Sequence, residues 1–251
     1  MDFGYALSGL LIGSIVGMTG VGGGSLMTPL LVIVFGIPPA IAVGTDLLYA
    51  AITKAGGAWV HGKSGHVDWK IARLLATGSI PAAILSIFVL KNLSVDRHAL
   101  ASVVSTTLGI ALILTSVALV FRVGIGKIVR VAENRTGIAT VILGVVLGFL
   151  VTFSSVGAGA LGTVALFYLY PRLSASGVVG TDIAHAVPLT AIAGLGYAAL
   201  GEVDFHLLGS LLLGSLPGIY IGSHIGSKIP ENMLRGALAS MLMLIGGKLV
   251  F

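Results

Sequence analysis

Thr19-Gly20-Val21-Gly22-Gly23-Gly24-Ser25 stands between two apolar runs, Phe3 to Met18 and Leu26 to Ile37. Four glycines in five positions do not belong in a helix interior, where each costs about 1 kcal/mol relative to alanine. The flanks nevertheless read as membrane-buried helix. Backbone that leaves the helix at membrane depth has to line a cavity or be buried in protein, because lipid satisfies neither N–H nor C=O groups. The stretch therefore predicts a broken helix or re-entrant turn. Its amides, with the N-terminus of the half-helix that follows, form a ready anion site. The competing reading is a point of close helix–helix packing made of small residues.

The rest of the chain supports a membrane setting. Of its 251 residues, 56% are hydrophobic and 9% charged, where a soluble domain carries roughly 25% charged residues. Such a chain cannot cover a water-facing surface. The apolar runs are continuous rather than alternating, so the expected class is an all-α polytopic membrane protein in a lipid bilayer, not a β-barrel. The net charge of +5 comes from basic residues gathered in particular loops, as an orientation signal would be, and calls for no nucleic-acid partner. The chain has no cysteine, which excludes disulfides, thiolate metal sites and cysteine nucleophiles.

Ten apolar segments are expected, over 3–18, 25–37, 40–60, 69–90, 99–121, 136–153, 160–170, 174–200, 205–227 and 233–251. The second and seventh fall well short of the roughly 20 residues a full span needs, and each follows a Gly/Ser break. The chain also repeats itself. Gly44-Thr45-Asp46 returns as Gly180-Thr181-Asp182, 136 positions later, and Gly78-Ser79-Ile80-Pro81 returns as Gly214-Ser215-Leu216-Pro217. Gly65, Val67, Asp68 and Trp69 meet Gly201, Val203, Asp204 and Phe205 at the same spacing. One position off that spacing, the glycine break meets Ser154-Ser155-Val156-Gly157-Ala158-Gly159-Ala160. The expected organisation is one integral membrane domain: a first repeat over 1–121, a connecting loop over 122–135 and a second repeat over 136–251.

Five segments per copy is an odd number, so the second copy is expected inverted across the membrane. The loop 122–135 holds Arg122, Lys127, Arg130 and Arg135, which assigns it to the cytoplasm. The loop from Lys63 to Lys70 is basic, and its partner, with Glu202 and Asp204, is acidic; inversion sends them to opposite faces. Both termini are then extracytoplasmic. A parallel repeat of four plus four segments would put the paired loops on one face.

Ionisable groups inside spans are costly and point to function. Asp46 and Asp182 fall near the starts of the third and eighth segments, as a proton or cation site or a gate, or else as helix caps. Lys54, two turns after Asp46, is a counter-charge for an anion, a partner for Asp46 or a snorkelling side chain. His185, matched to Tyr49, titrates during transport or is a satisfied core residue. Arg73 reads as an interfacial anchor. His61, His66, His98, His206 and His224 are scattered near segment ends and suggest no metal site. Nucleotide loops, dinucleotide fingerprints, zinc histidine pairs and nucleophile elbows are missing from the sequence. The expectation is therefore a non-enzyme without a cofactor.

The run Gly20-Val21-Gly22-Gly23-Gly24-Ser25-Leu26 with Pro29, the doubled Gly-Thr-Asp and the doubled Gly-Ser-Ile/Leu-Pro resemble the sulfite exporter TauE/SafE family over nearly the whole chain. The second glycine run departs from the pattern as Ser155-Val156-Gly157-Ala158-Gly159. The resemblance implies secondary transport of small sulfur-containing anions, such as sulfite or organosulfonates, across a bacterial inner membrane, in the direction of export. On this reading the substrate sits between the two breaks, on Thr19, Gly20, Val21, Gly22, Gly23, Gly24 and Ser25 and on Ser154, Ser155, Gly157 and Gly159. Asp46, Lys54, Asp182 and His185 are the candidates for gating or proton coupling. Alternating access would rock one repeat against the other. An anion channel of the same fold is the alternative.

Overall fold

The computed structural model describes residues 3–19, 24–93, 96–121, 136–226 and 231–250. They form ten helices: α1 (Phe3–Thr19), α2 (Gly24–Ile33), α3 (Pro39–Lys63), α4 (Trp69–Leu93), α5 (Arg97–Phe121), α6 (Thr136–Ser154), α7 (Ala160–Leu169), α8 (Ala175–Ala199), α9 (Phe205–Gly226) and α10 (Glu231–Val250). Five of them, α4, α5, α6, α8 and α9, are long and apolar enough to cross a membrane. The ten expected segments are these helices, and the two short ones are α2 and α7. The expected connecting loop 122–135 lies outside the described residues.

Helix starts follow from local chemistry. Asp68 caps α4 by accepting the N–H groups of Lys70 and Ile71, and Asp204 caps α9 through those of His206 and Leu207. Ser174 caps α8 by accepting from Gly177. Pro39 opens α3 at a position where its missing N–H costs nothing. Asp46 and Asp182 are thus relieved of the capping role weighed for them: each lies about two turns inside its helix.

Packing pairs α1 with α9, α4 with α6, α3 with α8 and α5 with α10. The first two seams are built on glycine. A Cβ at Gly9 or Gly13 would overlap the carbonyls of Leu211 and Ser215, and one at Gly214, Gly218 or Gly222 would overlap those of Ala6, Leu10 and Ser14. The α4–α6 seam repeats the device, with Gly144 and Gly148 against the Leu75 and Ser79 carbonyls and Gly78 against that of Val141. Small residues let backbones touch where the hydrophobic effect offers helices no reason to associate. We expect Gly144→Val and Gly214→Val each to destabilise the protein by about 2 kcal/mol or more, read as a lowered melting temperature in detergent. Gly209→Ala, with open space around its Cα, should melt like the parent.

The Gly-Thr-Asp motifs hold loops of the other half. The Thr181 hydroxyl accepts the Asp68 N–H at 2.9 Å, and the Thr45 hydroxyl accepts the Asp204 N–H at 3.1 Å. The glycine before each threonine makes room for the same loop: a Cβ on Gly180 would meet the His66 carbonyl, and one on Gly44 the Glu202 carbonyl. Matching positions therefore make matching contacts in exchange. These two clamps tie α3 and α8 to loops of the opposite half, and Asp46 and Asp182 follow the clamping threonines directly in sequence.

Candidate functional site

The break between α6 and α7 is short and buried. Ser155 has φ 57°, the positive value that only this non-glycine shows among the described residues, and Gly157 and Gly159 follow at 122° and 126°. The last two values suit glycine alone. Ser154 turns its hydroxyl back on its own helix, to the Leu150 carbonyl at 2.5 Å, and accepts the Val156 N–H at 3.1 Å. The amides of Gly157 and Ala158 make no hydrogen bond within the described residues. Val156 packs into the core beside α1, α2 and α9, and Ala158 into the one beside α3, α4 and α8. The break thus stands between two cores, with its non-helical backbone enclosed by protein.

Charged groups converge on it. Lys54, half-buried on α3, donates its ammonium to the Ala158 carbonyl at 2.9 Å. It closes no hydrogen bond with Asp46, whose Oδ2 takes the Thr28 hydroxyl at 2.5 Å and whose Oδ1 has no partner among the described residues. Asp46, Asp182 and His185 all lie within electrostatic reach of the ammonium. The Ser155 hydroxyl lies near Asp46 without bonding to it. Asp182 packs its Oδ1 against the bare Cα of Gly162. His185, 1% exposed, shares a 2.8 Å hydrogen bond through Nε2 with the Ser79 hydroxyl.

Of the residues expected at the site, Asp46, Lys54, Asp182, His185, Ser155 and Gly159 come together around this second break. Ser154 faces its own helix. Gly157 supplies backbone shape. Thr19 ends α1, and Gly24 and Ser25 begin α2; Gly20, Val21, Gly22 and Gly23 between them lie outside the described residues. Arg73 is exposed and donates to the Trp69 carbonyl of its own helix. Thr28 and Ser79 escaped the sequence reading, although both could have been found. Ser79 belongs to the doubled Gly-Ser motif, and Thr28 meets Thr163 at the spacing that aligns the two breaks.

The arrangement offers one cation, two carboxylates and unused backbone donors close together at the second break. Such a place can hold a small anion and redistribute charge around it. A family model described as sulfite exporter TauE/SafE matches residues 5–249. Among curated relatives, a probable membrane transporter protein YjnA of Bacillus subtilis is 40% identical over the full length of both chains. YdhB of the same organism, also a probable membrane transporter protein, is 30% identical over 96% of this chain and 97% of its own. A probable membrane transporter protein of Haemophilus influenzae is 25% identical over 95% and 94%. No solved structure matches the chain.

Proposed function

Because the chain belongs to the sulfite exporter TauE/SafE family of membrane transporters, we propose that it is a secondary transporter exporting small sulfur oxyanions, sulfite or a short organosulfonate, across the bacterial inner membrane. The observation that carries this reading is the Lys54 ammonium held on the Ala158 carbonyl, inside a helix break, between Asp46 and Asp182. An oxyanion entering there meets that ammonium, the amides of Gly157 and Ala158, and the positive end of α7. Gly20 to Gly23, also proposed to bind the anion, lie outside the described residues. Asp46, Lys54, Asp182 and His185 gate the site or couple it to protons.

The two halves are taken as inverted repeats with α2 and α7 as re-entrant half-helices. The exchanged threonine clamps and the matched glycine seams support this. Each tight seam joins one helix from each repeat, α1 with α9 and α4 with α6. The bodies that move in alternating access are therefore mixed pairs, which revises the simpler picture of one sequence half rocking on the other. Motion about α3 and α8 opens one clamp at a time. The absence of native cysteine makes sidedness directly testable. Lys70 and His206 are matched, exposed and in the first turns of α4 and α9. Lys70→Cys and His206→Cys should react with a membrane-impermeant thiol reagent from opposite faces; reaction from one face would favour the parallel repeat.

Substrate class is tested by thermal unfolding of the purified protein. A ligand at 100 times its Kd adds about 2.7 kcal/mol, so sulfite or a short sulfonate should raise the melting temperature by several degrees, and chloride at equal ionic strength should not.

A further inference from the structure

The two intramembrane carboxylates occupy matched positions but unequal surroundings. On α3, Asp46 is fully buried and receives the Thr28 hydroxyl. On α8, Asp182 is also fully buried, yet neither of its oxygens has a hydrogen-bond partner among the described residues. Its counterpart donor is present and turned away: Thr163, matched to Thr28, gives its hydroxyl to the Gly159 carbonyl and to that of Ala160. The Gly159 amide faces Asp182 without closing a bond. Gly162 brings only a bare Cα to the carboxylate.

The ionisable groups around Asp182 are few. From α3, Lys54 faces it, with Asp46 beyond; on α8 itself His185 follows one turn later and is engaged with Ser79 of α4. α6 contains no ionisable residue, and α7 only Tyr168, two turns from Gly162. The single ammonium is shared between two carboxylates and is hydrogen-bonded to neither. Burying a carboxylate without donors is expensive, and such a group takes up a positive charge or gives up its own. A sodium ion would need several further oxygens, and the Ala158 carbonyl is already taken by Lys54.

We propose that Asp182 is a proton-binding site of this protein, occupied in the conformation described here, with Asp46 as its permanently hydrogen-bonded counterpart. Resting on the transport reading above, this makes Asp182 the carrier of the coupling proton. The proton stays on a carboxylate oxygen of Asp182 while Lys54 is held on the Ala158 carbonyl and leaves when Lys54 turns to that carboxylate.

Infrared difference spectroscopy of the purified protein tests this without any substrate. The carbonyl stretch of a buried carboxylic acid should be present in the parent at mildly acidic pH and titrate away as pH rises. Asp182→Asn should lose it, Asp46→Asn should keep it, and Asp182→Glu should restore it at a shifted frequency, provided each elutes as a single folded species. Persistence of the band in Asp182→Asn, its loss in Asp46→Asn, its absence from the parent at every pH, or its removal by sodium at constant pH would each overturn the proposal. Failure of the parent to transport sulfite would be read in a separate assay and bears on the transport reading alone.

Discussion

Lys54→Met should lower saturable sulfite transport by about 100-fold, the effect of removing a desolvated charge that meets an opposite charge, worth roughly 2–5 kcal/mol at 1.4 kcal/mol per tenfold. Lys54 is the group on which the proposed site depends, because the break otherwise offers only dipoles. The substitution also leaves Asp46 and Asp182 without their shared cation, and an uncompensated buried charge costs about 3–5 kcal/mol. Misfolding and loss of binding must therefore be separated. In the double variant Lys54→Met with Asp46→Asn, one negative charge is removed with the positive one, so the melting temperature should recover toward that of the parent while transport stays lost. Lys54→Arg keeps the charge, but its broad fork meets the Ala158 carbonyl in a different geometry; partial transport is expected. Recovery of transport together with stability in the double variant would reduce Lys54 to a structural counter-charge.

Gly162→Ala should lower transport about fivefold or more. An added Cβ at this position overlaps Asp182 Oδ1, so the buried carboxylate has to turn away from its present seat against α7. Overpacking of this kind costs about 1–3 kcal/mol, which is about fivefold to more than a hundredfold if it falls on the working conformation. Gly137→Ala, with nothing within 4 Å of the new carbon, should transport like the parent. Near-normal transport by Gly162→Ala would mean that the carboxylate can move aside freely and that its close seat on α7 has no bearing on function.

Much of this fold is written in the chain because membrane helices follow from continuous apolar length, which is a local property. The break after Ser154 was legible for the same reason: Gly157 and Gly159 adopt values of φ that suit glycine alone. The Gly-Thr-Asp motifs were legible as repeats, but their division of labour was not. The sequence left Asp46 and Asp182 as a proton or cation site, a gate or helix caps, whereas the glycine and threonine of each motif hold a loop more than 100 residues away and the aspartates lie inside their helices near Ser155 and Gly159. Lys54 was readable as a partner for Asp46 two turns earlier. Its partner is instead a backbone carbonyl 104 positions on, and a backbone acceptor leaves no trace in residue identity. Thr28 and Thr163 make the same point in reverse: identical residues at matched positions turn to different acceptors, one to a carboxylate and one to its own helix.

The most direct measurement of the central claim is counterflow of radiolabelled sulfite in proteoliposomes preloaded with unlabelled sulfite and clamped at zero membrane potential. The account predicts transient accumulation of label that saturates with external sulfite and disappears in Lys54→Met. Uptake that rises linearly with sulfite and never exceeds equilibrium, accompanied by ohmic current, would contradict it and identify an anion channel.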